Sequence, residues 1–194
     1  MPPKVKITKE DILKTALELV RKSGADSLNA RAIASSLNCS TQPIFSNFAT
    51  MDSLQSEVII AAYELYSDFL KNEAESGKYP QYKAYGLAYI RFAKEEKELF
   101  KLLFMRDRSA EDISTTPDFN ESVELIAKNN NISHEMATLI HIEIWIFVHG
   151  IGTMLATSFL NFEWDMISRM LSDAYQGILA KHFPKEKSDE CNKN

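Results

Sequence analysis

The sequence predicts an all-α chain in two parts, a small three-helix unit followed by a larger helical one. Three observations predict it. Apolar residues recur at i+3 and i+4 spacing along most of the 194 residues. Ser, Thr and Asn stand as N-caps ahead of many of these stripes. Only six glycines are present, too few breaks for the many short strands and turns of a sandwich or barrel. With 45% apolar and 25% charged residues, the composition supports a buried core and excludes a disordered or low-complexity chain.

Thr8 with Asp11 forms a capping box, and Ile12, Leu13, Ala16, Leu17 and Val20 make the stripe of a first helix that Gly24 stops. Asn29 caps a second, which buries Ile33, Ala34 and Leu37 and ends near Asn38, a residue that tolerates the left-handed conformation. Ser40 is expected to cap a third short helix with Pro43 in its first turn and Ile44, Phe45 and Phe48 as its apolar bulk. Thr50 and Asp52 open a long fourth helix carrying Leu54, Val58, Ala61, Leu65 and Phe69, ended by Gly77 and Pro80.

Beyond it, 82–94 and 95–105 read as helices and 106–116 as a polar connection without periodicity. Thr116-Pro117 reads as the N-cap and first residue of a helix to about Lys128, and Asn129-Asn130-Asn131 as a turn. Ser133 begins the most apolar helix, expected to run to about Leu160. The last helix spans about 163–182, and Met166, Ile167, Met170, Leu171, Ala174, Ile178 and Leu179 give it a stripe wide enough for a subunit interface. Residues 184–194 read as a disordered charged tail.

The net charge of −5 is uneven. Residues 1–54 hold 7 Lys and Arg against 5 Asp and Glu, and the remainder 15 against 22, so the N-terminal quarter could face an anion. Cys39 and Cys191 form no metal knuckle or disulfide framework, and no secretion signal is expected, which fits a cytoplasmic setting. Residues 136–160 are apolar enough to suggest a membrane span, but Glu143 near the middle would cost about 2.5 kcal/mol or more, so a buried helix is expected.

Residues 29–48, two short helices about the turn Asn38-Cys39-Ser40, fit helix-turn-helix geometry, in which the tip of the second helix enters the major groove. Periodicity alone leaves open a helical hairpin that never meets DNA. The residues go further. Asn29-Ala-Arg31-Ala-Ile33-Ala34, the turn, and Phe45-Ser-Asn-Phe48-Ala-Thr-Met51-Asp52-Ser-Leu54 resemble the TetR (TetR/AcrR-like) family of transcriptional regulators over roughly residues 6–66. The resemblance implies a DNA-binding domain at 6–66 and a ligand-binding and dimerisation domain at 67–183. It implies a homodimer on a double-stranded, palindromic operator, most naturally a repressor released by a small-molecule effector.

Carried over by position, Arg31, Ser40, Thr41, Gln42, Pro43, Phe45, Ser46 and Asn47 would face DNA. Gln42 can pair bidentately with adenine, and Arg31 can reach a guanine edge or a phosphate. Two positions depart from the family, which usually has a tyrosine where Phe45 stands and a lysine where Met51 stands. Phe45 has no hydroxyl and Met51 no charge, so binding should be weaker and less salt-sensitive unless Lys4, Lys6 or Lys9 compensate from an N-terminal arm.

In the second part, Trp145-Ile-Phe-Val-His149-Gly150 resembles a Trp-x-x-x-His-Gly segment of one branch of that family. His141, Trp145 and His149 share one helix face, either as a ligand site or as a core face on which each imidazole finds one partner. With Tyr89, Phe92 and Phe104 they are the candidate ligand pocket. Gly150 and Gly152 lack the strand and third Gly of a dinucleotide fingerprint and are expected to let another helix approach. No catalytic constellation, metal-ligand set or cofactor motif is expected. Two competing readings are a helical ligand carrier or enzyme, and a helix-turn-helix module that binds protein.

Overall fold

Thr8 Oγ1 accepts from Asp11 N and Asp11 Oδ2 accepts from Thr8 N, so the capping box opens α1 (Lys9–Ser23). Gly24, at φ +80, ends it. A 3-10 turn, Ala25–Ser27, leads to α2 (Ala30–Ser36), whose N-cap Asn29 accepts from Ala32 N at 2.9 Å. Asn38 takes the left-handed conformation at φ 51 and turns the chain into α3 (Gln42–Asn47). Thr50 and Ser53 form the box that opens α4 (Met51–Glu75). This is a computed structural model, and it describes residues 7–111 and 117–183. Among them lie five further helices and no strand: α5 (Gln81–Glu95), α6 (Lys97–Phe104), α7 (Pro117–Asn130), α8 (His134–Ala156) and α9 (Trp164–His182).

The chain is all-α, as its spacing predicts, with several local corrections. Ser40 lies outside α3 and caps nothing; Thr41 flanks the helix without a side-chain cap. Phe45 adds nothing to the core, being 49% exposed, and Ile44 and Phe48 alone anchor α3. The buried stripe of α4 continues through Ala62 and Tyr66 in place of Ala61 and Leu65, because four-residue steps from Leu54 aim Tyr66 into an aromatic cluster. Helix α8 ends at Ala156, where Ser158 turns left-handed at φ 57, short of Leu160. Of the wide stripe of α9, Ile167 and Leu171 are buried and Met166 is exposed. The expected cap Thr116 and the tail 184–194 lie outside the described residues.

In the N-terminal part, Ile12, Ala16 and Val20 of α1 meet Ile33, Ile44, Phe48, Leu54 and Val58. That core is continuous with Leu87, Ile90 and Phe92 of α5, Phe100 of α6 and Ile144, Val148 and Ile151 of α8. A smaller cluster, Phe119, Val123 and Ile126 with Ala137 and Ile140, joins α7 to α8. The sequence boundary at 66/67 therefore falls inside α4, a helix packed on both sides of it. Gly152 lets α8 approach α6: a Cβ there would meet the Phe100 ring at 3.0 Å. Gly150 has nothing within 4 Å, so only one of the two glycines serves this packing.

A second tie joins the two parts. Arg21 of α1 donates through Nε to Glu96 Oε2 at 2.6 Å and through a terminal nitrogen to Oε1. Glu96 sits between α5 and α6 and is 6% exposed, whereas the Arg21 side chain is 44% exposed. Removing the arginine strands a buried carboxylate. Arg21→Ala should therefore lower the free energy of unfolding in urea by about 2 kcal/mol, below the range for a fully buried pair because the arginine is half in water. Arg21→Ala with Glu96→Ala should cost less than the two single losses together.

Candidate functional site

Two features stand apart from the core. The first is the outer face of the α2–α3 pair. Ile33 and Ile44 point inward at 0% exposure, which turns Arg31, Gln42, Phe45, Ser46 and Asn47 to solvent, with Ser40 exposed in the turn and Thr41 and Pro43 half-buried. Arg31 makes no ion pair among the described residues. Ser46 Oγ donates to Gln42 O at 2.9 Å and Asn47 Nδ2 to Pro43 O at 2.8 Å, so both side chains fold back on their own helix and leave Gln42 and Phe45 projecting. Of the three lysines expected in the arm, Lys9 is the first residue of α1, paired with Glu57 and lying over the Phe48 ring. Lys4 and Lys6 lie outside the described residues.

The second feature is a cleft-like cavity of about 350 Å³ lined by α4, α5, α7, α8 and α9, with Phe104 of α6 in its wall. Tyr89, Phe104, His141 and Trp145 of the expected pocket line it. Phe92 does not: it is fully buried against Tyr66 and Phe69. Nor does His149, whose ring lies against Phe100 and Trp145.

Several lining residues were missed in the sequence. Tyr63 and Tyr66 stand at i, i+3 on α4, and Tyr82 and Tyr85, with Tyr89, at i, i+3, i+7 on α5, a spacing that sets phenols on neighbouring faces and was the available signal. Arg108 lies within the stretch with no periodicity and Asp118 just after it, where no signal existed.

Four of the cavity's phenols and its histidine are hydrogen-bonded to other side chains. Tyr66 donates to Asp118 Oδ2 at 3.3 Å, and Tyr85 to Glu121 Oε1 at 2.6 Å. Tyr82 Oη and His141 Nδ1 are 3.0 Å apart, and Tyr89 Oη and His149 Nδ1 2.8 Å apart, two rungs that tie α5 to α8. Each imidazole thus has one phenol partner, the core-face arrangement weighed for this helix. Arg108 donates from Nε to Glu111 at 2.7 Å and lies over the Phe104 ring. Among the described residues no three His, Cys, Asp or Glu side chains gather as a metal site.

The arrangement of helices has a solved counterpart. A TetR-like transcriptional regulator from Rhodococcus sp. RHA1 superposes with a TM-score of 0.67 over 93% of this chain and 98% of that one, at 15% sequence identity. The fold is TetR-like. No family model and no curated protein matches the sequence.

Within this fold burial sets the protonation of the cavity wall. It pushes His141 down to about 4 and the Asp118 carboxyl up, and it raises the phenols of Tyr66, Tyr82 and Tyr89. The His141 shift gives a signed pH dependence. Below the unfolded value of 6.5 the unfolded chain takes a proton that the folded chain refuses until about pH 4. Stability is therefore full above pH 6.5 and falls as pH drops through that window. The His141 contribution should fall by about 2 kcal/mol from pH 7 to pH 5, measured by urea unfolding, and His141→Gln should remove that part of the slope.

Proposed function

We propose that this chain is a DNA-binding transcriptional regulator, a repressor that holds a palindromic operator as a homodimer and releases it when a small molecule fills the cavity. The observation that carries the reading is the α2–α3 pair: a six-residue helix anchored by two buried residues, with Gln42 and Phe45 projecting from it. Residues at the start of such a helix meet base edges when it lies in the major groove. The resemblance over 6–66 supports this, as does a structural counterpart named as a regulator.

In this reading Gln42 reads a base, Arg31 a base edge or phosphate, and Ser40, Thr41, Pro43, Phe45, Ser46 and Asn47 form the surrounding contact. With Lys9 held by Glu57, compensation for the hydroxyl that Phe45 lacks and the charge that Met51 lacks falls to Lys4 and Lys6. A homodimer is supported by α8 and α9. Leu139, Ile142, Ile146 and Met154 expose an apolar stripe on one face of α8, next to Gly150, and Met166 is exposed on α9. Neither Gly150 nor Gly177 has anything within 4 Å of its Cβ position, which leaves room for a partner's helices at close range. A two-fold axis there would present two α3 helices to successive major grooves roughly 34 to 36 Å apart.

The route from cavity to DNA runs through two elements. Tyr63 and Tyr66 belong to α4, which begins in the N-terminal core, and Phe104 ends α6, whose start adjoins the Glu96–Arg21 link to α1. A ligand that prefers a different setting of these helices shifts the dimer toward a spacing that no longer fits the operator. A tenfold loss of DNA affinity needs about 1.4 kcal/mol of such preference.

Selection of bound duplexes from random DNA tests the reading directly and should return a palindrome. Against that operator, Gln42→Ala should lose about 1–3 kcal/mol of discrimination at one position in each half-site, whereas a uniform loss over all sequences contradicts base readout. Ile146→Asp should sediment as a monomer with unchanged helix content and bind a half-site without cooperativity. A dimer that persists in this variant places the interface elsewhere.

A further inference from the structure

The composition of the cavity wall narrows what it can hold. Its apolar surface is chiefly rings, and the rings already meet one another: Tyr66 and Phe104 edge to face at 5.2 Å, Tyr82 and Tyr175 tilted at 5.4 Å. The hydroxyls of Tyr66, Tyr82 and Tyr85 are hydrogen-bonded to side chains of the protein, which leaves uncharged groups, the Tyr63 hydroxyl, Ser122, Asn129 and Gln176, to meet a ligand beside the ring faces and edges. Its cations are engaged as well. Arg108 is bound to Glu111, and the Lys83 ammonium donates to Ser172 Oγ at 2.8 Å and sits 5.0 Å from the centre of the Tyr79 ring.

We propose that the cavity takes an uncharged, flat aromatic ligand and discriminates against the same skeleton carrying a charge of either sign. The proposal rests on the reading of this cavity as the effector site. Flat rings fit because the walls can meet them by offset stacking and edge contact, the geometries aromatic pairs favour. Charge is disfavoured because an ion entering the cavity loses its hydration, while the Arg108 guanidinium is already paired with Glu111, the Lys83 ammonium already donates to Ser172, and the Asp118 carboxyl already accepts from Tyr66. The wall's own groups show the same preference for neutrality. Burial moves an acid, Asp118, up and a base, His141, down, so the site penalises negative and positive charge alike. The cavity, at about 350 Å³, lies at the lower end of the range for drug-sized ligands, which suits two or three fused rings better than a long chain.

Three probes of one skeleton test this on the full chain at pH 7: 2-naphthamide, 2-naphthoate, and trimethyl(2-naphthylmethyl)ammonium. Affinity is read by calorimetry, and position by the indole N–H resonances of the two tryptophans. Trp145 lines the cavity, whereas Trp164 lies under the Arg91 guanidinium, and Trp164→Phe assigns the two signals. The amide should bind and shift the Trp145 signal alone, with both ions weaker on the order of 100-fold. An ion that binds as tightly as the amide and moves Trp145 overturns the neutral class and leaves the cavity as the ligand site. If naphthoate is that ion and Lys83→Met abolishes its binding, the cavity is an anion site. If no probe moves Trp145 up to its solubility limit, the cavity reading falls together with the proposal.

Discussion

Tyr66 sits where the continuous core passes along α4 from the N-terminal part into the C-terminal part. Twelve residues before it, Leu54 is buried in the part of the core that α1 packs against α4, and Tyr66 itself packs against Tyr89, Phe92 and Phe104 at 5.9, 5.4 and 5.2 Å. An unbroken helix of 25 residues is about 37 Å long, and its hydrogen bonds resist bending between those points. Any change in how Tyr66 is seated is therefore delivered at Leu54 as a tilt. The Arg21–Glu96 link gives the N-terminal part a second point of attachment, so it cannot swing freely about α4 alone. Two attachments define an axis, and the proposed effector acts on the residues beside both.

The cavity's most buried polar groups find their partners within the protein. A buried phenol or imidazole without a partner costs about 1–3 kcal/mol, which offsets much of what its packing returns. The two Tyr–His rungs and the Tyr66–Asp118 contact remove that penalty while holding α5, α7, α8 and α4 at fixed separations. The same bonds leave a wall that is chemically quiet, as a ligand site needs to be if occupancy is to be decided by shape and by ring contact.

Much of this was legible in the sequence, and the limits have physical causes. Caps and glycines are local, so Thr8, Asn29, Thr50, Gly24 and Asn38 mark helix ends correctly from their neighbours alone. Which side of a helix is buried depends on what it meets. Phe45 reads as core by its side chain, yet α3 is too short to bury three large residues against one surface. Phe92 and Tyr89 are equally aromatic on one helix, and only the placement of α4 and α6 decides that Phe92 becomes core and Tyr89 cavity. Arg108 and Asp118 had no periodicity to announce them, because they reach the cavity from within a connection and from a helix start. Gly150 and Gly152 look alike in sequence, but only one lies opposite a ring.

The shortest helix carries an asymmetry with a long reach. Ile44 and Phe48 secure α3 from one side, while the side chains of Ser46 and Asn47 bond only to its own carbonyls and Gln42 and Phe45 project into solvent. Exchanges among these outward residues leave the anchors untouched, and surface changes of this kind alter stability by no more than about 0.5 kcal/mol. A lineage carrying this architecture is thus free to redraw its outer chemistry one residue at a time, without first acquiring spare stability to tolerate the change.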